Sequence, residues 1–120
     1  MANPNIVAVS SIYANTAVDA DVAASAVSLL TAASNKVLKV NSLVIANIDG
    51  VNAADISVWV TRGGADYYIA KTISVPADTV LVPIDKNMGF YLVEGDILKI
   101  QASVAGDLAA TCSYEEIDDA

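Results

Sequence analysis

After residue 36 the chain alternates between apolar and polar positions with a period of two. The clearest run is 55–61, where Ile56, Val58 and Val60 share one side and Asp55, Ser57, Trp59 and Thr61 the other. Successive side chains of a strand point to opposite faces, so this pattern predicts a half-buried strand. Asn47-Ile48-Asp49-Gly50 precedes it, and Asp49-Gly50 can take the positive φ angles of a tight hairpin turn. Arg62-Gly63-Gly64-Ala65-Asp66 follows as a second reversal. The next segment, 67–75, sets Tyr67, Ile69, Ile73 and Val75 on one face, with Lys71 interrupting it. Three consecutive strands and two short turns predict a meander.

Pro76 has no amide hydrogen for a sheet ladder, so Val75-Pro76-Ala77-Asp78 ends that run. The short apolar stretch 79–84 contains Pro83, which suits a sheet edge or a strand end. A polar loop at 85–89 leads to Phe90-Tyr91-Leu92-Val93, and Glu94-Gly95-Asp96 makes another turn. Leu98, Ile100, Ala102 and Val104 then alternate with Lys99, Gln101 and Ser103. After Ala105-Gly106-Asp107, a last strand aligns Leu108, Ala110, Cys112 and Tyr114. The strands after residue 36 have the spacing of a sandwich. The first 36 residues read less simply. Residues 6–13 look extended, while 15–33 is Ala-rich. There Asp19 and Asp21 could cap a helix, and Val18, Val22, Ala26, Leu29 and Leu30 stand near helical spacing. Ser25, Val27, Ser28 and Leu29 also fit a short strand, which the all-β remainder favours. The reading is one all-β domain over 1–120, with N-terminal strands or a short helix before residue 36 and an acidic tail at 115–120.

Composition narrows the function classes. Of 120 residues 55% are apolar, and the mean hydropathy is +0.52. No run approaches the roughly 18 uninterrupted apolar residues of a membrane span. The opening Met1-Ala2-Asn3-Pro4-Asn5 lacks the basic-then-apolar pattern of a secretory signal. The apolar surplus therefore belongs in a core or in subunit contacts. The formal charge is −8 and the cations are scattered, which argues against nucleic acid, whose affinity comes from phosphates neutralised by Lys and Arg. The single cysteine, Cys112, allows no intramolecular disulfide and suits a reducing intracellular place of synthesis.

Candidate chemistry is sparse, and no cofactor is expected. The chain has no histidine, and so lacks the commonest general base and transition-metal ligand. Glu94, Asp96, Glu115 and Glu116 read as solvated acids of a turn and a tail rather than as a glycosidase pair. Asp19, Asp21 and Asp49 lack the further ligands of a calcium loop. Cys112, on the inward face of its strand, has no base nearby and reads as a small hydrophobe. Trp59, on a polar face, reads either as a contact or sugar-stacking platform or as a residue covered by a loop or second layer. Tyr67-Tyr68 and Phe90-Tyr91 each point to opposite faces, so one member of each pair is expected at the surface. Trp59, Tyr68, Phe90 and Tyr91 are the interface candidates.

The order of several short motifs is more specific than any one of them. Val40 to Gly50, Val58-Trp59-Val60-Thr61-Arg62-Gly63-Gly64, Tyr68-Ile69-Ala70-Lys71, Val75 to Asp78, Tyr91 to Asp96 and Ser113 to Ile117 follow one another in a way that resembles a recurring small virion protein of tailed bacteriophages. The likeness covers residues 37–117. It implies an antiparallel β-sandwich, jelly-roll-like, of about eight short strands. It implies a capsid decoration (cement) protein that binds the major capsid protein at the capsid surface, as a homo-oligomer such as a trimer, with no enzyme activity. A tail or fibre component, binding other virion proteins, is the main alternative. A carbohydrate- or cell-surface-binding module is the other, and it requires an exposed aromatic residue in a shallow groove beside carboxylates or amides.

Overall fold

The structure, a computed structural model, describes residues 8–118. Among them lie nine strands and one 3-10 turn. The strands are β1 (Ser11–Asp19), β2 (Val27–Thr31), β3 (Lys36–Asn47), β4 (Ala54–Arg62), β5 (Ala65–Val75), β6 (Val80–Ile84), β7 (Phe90–Leu92), β8 (Ile97–Ala102) and β9 (Leu108–Asp118). The first sheet runs β1-β9-β3-β6, with β7 also on β3, and the second runs β2-β8-β4-β5. All pairings are antiparallel. β6 and β7 both pair with β3, separated by the 3-10 turn Lys86–Met88, and act as one interrupted strand. Counted so, eight strands form two four-stranded sheets, and every connection except β4 to β5 changes sheet. This is jelly-roll topology, as the sequence likeness implied.

The facing sides of the sheets are filled by the alternating positions of each strand. Leu38, Val40, Leu43 and Ile45 of β3 and Leu108, Ala110 and Cys112 of β9 meet Ile56 and Val58 of β4 and Leu98 and Ile100 of β8. Fully burying a Val, Leu or Ile side chain contributes about 1.5–3 kcal/mol, so these positions supply most of the folding drive. Cys112 is sealed in this layer, and burial pushes its thiol up to about 11.

Two expectations change, and at 15–33 the favoured strand alternative is the one found. The segment 15–33 contains no helix: residues up to Asp19 form β1 along β9, and Val27–Thr31 form β2 along β8. Pairing outweighs the helix propensity of the alanines, because Ala17 packs against the core across from Cys112. Residues 6 and 7 of the extended run lie outside the described residues. Residues 115–118 are not a tail but the end of β9, held between β1 and β3, where Lys36 Nζ lies 3.0 Å from Glu116 and 3.7 Å from Asp118. Residues 119 and 120 lie outside the described residues. The meander also fails, since β3 and β4 belong to different sheets and only β4–β5 is a hairpin. Asp49 instead folds the 48–53 loop by accepting the Val51 and Asn52 amides at 2.8 and 3.2 Å, and Gly50 needs no positive φ. Gly63 and Gly64, at φ 59° and 81°, do make the predicted β4–β5 reversal.

The four sheet edges differ. β2 is short, with a register irregularity between Ser28 and Leu30. The β6–β7 edge contains Pro83 and is broken by the 3-10 turn. β5 carries extra residues: Ile56 faces Ile73 and Trp59 faces Tyr68, so three steps on β4 meet five on β5. Thr72, at φ 53°, sits in this bulged stretch with its amide donating to Ser57 Oγ at 3.0 Å. β1 alone runs through nine residues of unbroken register.

Candidate interaction surface

The β2–β3, β4–β5 and β7–β8 turns lie at one end of the sandwich, and here the sheets part. Val60 and Tyr67 are paired across β4 and β5 on the side facing the first sheet, and β7 brings Phe90 and Tyr91 from the opposite side. With Arg62 they line an open cleft of about 490 Å³. Phe90 is half-buried against the core, while Tyr91 and Tyr67 are 43% and 59% exposed. Arg62 closes one wall. Its Nε lies 2.9 and 3.0 Å from the two carboxylate oxygens of Asp96, which is 2% exposed. Asp96 also accepts the Val93 amide at 2.9 Å, tying the β7–β8 turn to the β4–β5 hairpin. Burial alone would push the Asp96 carboxyl up, but the Arg62 and Val93 hydrogen bonds outweigh it and hold the group below the usual carboxylate range.

The other candidates stand elsewhere, on the outer face of the second sheet. Trp59 is on the predicted polar face, beside Lys99 and away from the core layer, yet only 5% exposed. Tyr68 covers it, with ring centroids 5.3 Å apart, and the Lys71 ammonium lies 5.0 Å from the Tyr68 ring centre. Of the two readings of Trp59, the covered one is found, and what covers the indole is a tyrosine of the neighbouring strand. Its Nε1 has no hydrogen-bond partner. Next to this stack lies a shallow groove of about 280 Å³ lined by Asp55, Ser57, Tyr68, Lys71, Gln101 and Ser103, among others. Much of its polar lining is already engaged: Ser57 accepts the Thr72 amide, Ser103 accepts the Asp55 amide, and Gln101 donates to the Ala24 carbonyl.

The structure thus brings Phe90 and Tyr91 together at the cleft, and Trp59 and Tyr68 together on a separate face. Tyr67 and Tyr68 are both exposed, where one of the pair was expected to be. Alternation grouped Tyr67 with Ile69, Ile73 and Val75, but the extra residues of β5 set Ala70 rather than Ile69 opposite Val58 on the core side, and nothing in the pattern shows that the inner face is open at Tyr67. At the far end of the sandwich the four connecting loops, 20–26, 48–53, 76–79 and 103–107, each carry one aspartate and no Lys or Arg: Asp21, Asp49, Asp78 and Asp107. Among the described residues, no group of three or more Cys, Asp or Glu is arranged to hold a metal ion, and no helix is long and apolar enough to cross a membrane.

No protein-family model matches the chain, and no curated protein does. Two crystal structures of a pentameric capsid protein isolated from metagenomic phage sequences show a distant likeness, each with 19% identity, 87% of this chain covered and a TM-score of 0.41. The matched part amounts to 62% and 60% of those chains, so the likeness takes in about three-fifths of their length.

Proposed function

We propose that this chain is a structural component of a bacteriophage particle, a capsid decoration (cement) protein that binds the major capsid protein at the shell surface. The observation that carries the reading is the aromatic cleft, in which Tyr67, Phe90 and Tyr91 present apolar surface on a rigid two-sheet frame. Exposed aromatic residues around a preformed hollow suit a protein–protein anchor. The ordered motifs over 37–117 support the same reading. Clamping larger subunits requires shape and contact area, not a reactive group; Cys112 is sealed and Asp96 is bound to Arg62. The sugar-binding alternative is the weaker one. It would rest on Tyr68, 47% exposed in the shallow groove beside Asp55 and Gln101, but Trp59 and Lys71 already lie against that ring and Trp59 itself is buried.

The test is the number of copies per purified particle, by quantitative mass spectrometry with the major capsid protein as standard. Hundreds of copies support decoration. A few to several dozen would assign the chain to the tail or fibres, and absence would sink the virion reading. The Tyr67→Ala/Tyr91→Ala variant should keep its circular dichroism spectrum and lose incorporation. Normal incorporation would remove the cleft from the contact.

A further inference from the structure

We propose that β1 is a self-pairing edge: two copies of the chain join antiparallel through it about a two-fold axis, fusing their first sheets into one. This goes beyond the virion reading and does not depend on it. An exposed strand edge presents unpaired amides and carbonyls, and proteins normally blunt such edges with bulges, prolines, short strands or lysines. Three of the four edges here are treated in that way, by the irregularity in β2, by Lys71 and the extra residues of β5, and by Pro83 and the 3-10 turn of β6–β7. β1 has none of these devices. Among the described residues it pairs with β9 alone. It nonetheless exposes Ile12 at 57%, Tyr13 at 56% and Val18 at 71%.

The sequence of β1 identifies the occupant as a second copy, because it is complementary to its own reverse. With the axis at Asn15, Ile12 of each copy meets Val18 of the other, Ala14 meets Thr16, Tyr13 meets Ala17, and Ser11 meets Asp19. Facing residues of antiparallel strands share a side of the sheet, so the two exposed aliphatic residues meet on the outer face, where Ile12 and Val18 already stand. Asp19 is the only charged residue of β1, and this register sets it opposite a serine; a parallel pairing would set it against its own copy. The low charge of this edge matters in a chain of net charge −8, whose copies repel one another overall. A two-fold contact of this kind is isologous and closes on itself: both β1 edges are used up, and the edges that remain are the blunted ones.

Sedimentation analysis of the purified chain should give twice the 12.4 kDa chain mass. Ile12→Lys/Val18→Lys should reduce this to a single chain, since like charges would face each other at both ends of the contact. Ile12→Lys/Val18→Glu should restore the pair, because opposite charges would then meet across the axis. Both positions are more than half exposed, so the fold should survive, and circular dichroism checks this. Asn15→Cys gives an independent readout. Facing Cα atoms of antiparallel strands lie about 4.5 or 5.5 Å apart, within disulfide reach, so mild oxidation should cross-link two chains. A monomeric or trimeric parent chain, a Lys/Lys variant that stays paired, a Lys/Glu variant that stays monomeric, or no cross-link would each overturn the proposal.

Discussion

Each end of the sandwich has its turns tied together by one buried polar side chain, and the two ends use opposite chemistry. At the cleft end it is the carboxylate of Asp96, and at the aspartate end it is the neutral amide of Asn47, 4% exposed. Asn47 donates to the Asn52 and Val75 carbonyls at 3.0 and 2.9 Å and accepts the Asp49 amide at 2.8 Å. It therefore ties the β3–β4 loop to the end of β5. Asp96 does the equivalent work for the β4–β5 and β7–β8 turns, with Arg62 cancelling its charge. The difference follows from what surrounds each. A buried carboxylate is tolerable beside a guanidinium. In loops whose only charged residues are Asp21, Asp49, Asp78 and Asp107, a second buried anion would have no partner, and an amide that both donates and accepts fits instead.

The strongest way to break this contrast is Asn47→Ala. It removes three hydrogen bonds and leaves the buried Val75 carbonyl without its side-chain donor, so about 2–4 kcal/mol of unfolding free energy should be lost. A shift in the urea midpoint at constant slope would measure it, and a loss below about 1 kcal/mol would deny Asn47 its role. Asp96→Asn should cost less, about 1–2 kcal/mol, because Arg62 is half exposed and can turn to water once released. Arg62→Lys should cost about 0.5–1 kcal/mol, since an ammonium keeps the charge but not the two-pronged fit; a larger loss than for Asp96→Asn would reverse the order of the partners.

The smallest effects are in pH dependence, where Asp107 at one end and Asp96 at the other should respond with opposite sign. Burial, together with the neighbouring Asp49, pushes the Asp107 carboxyl up, while the Val51 and Asn52 amides hold Asp49 down. A raised carboxyl favours the folded state most when protonated. Its contribution is complete below the unfolded value of about 3.9 and is lost as pH rises through the folded value. Asp96 is lowered, so its contribution is present above about 3.9 and is lost as pH falls through its folded value. On acidification from neutral pH, stability should first rise as Asp107 takes up its proton and then fall as Asp49 and Asp96 take up theirs. Asp107→Asn should flatten the rise and Asp96→Asn the fall. Identical profiles for the two variants would mean that the ends do not titrate separately.

What could be read in the sequence was mostly local. Ile56, Val58, Leu98 and Ile100 face the core as alternation predicted, Gly63-Gly64 makes its reversal, and Pro83 lies on an edge. The pairing of strands is not local. Ser11 lies against Asp118, and nothing near β1 announces that partner, so the local pattern alone is compatible with a helix at 15–33 and with an acidic tail at 115–120. The missed sheet change between β3 and β4 has a similar cause: Asp49-Gly50 is compatible with a hairpin, and only the partners of β3 exclude one. At the cleft, Tyr91 was legible as a surface aromatic, whereas Tyr67 was not, because its exposure depends on the distance between two sheets. Asn47 and Asp96 looked like turn residues; their burial follows from loops remote in sequence.

The tryptophan stack has a spectroscopic consequence. Trp59 is the only indole in the chain, and it is shielded from the side by Tyr68, on a bulged edge strand, rather than by the core. Edge segments open locally at lower free energy than whole domains unfold. Its emission should therefore report the lifting of β5 before the sheets separate, so a fluorescence melt should run ahead of one followed by far-ultraviolet dichroism.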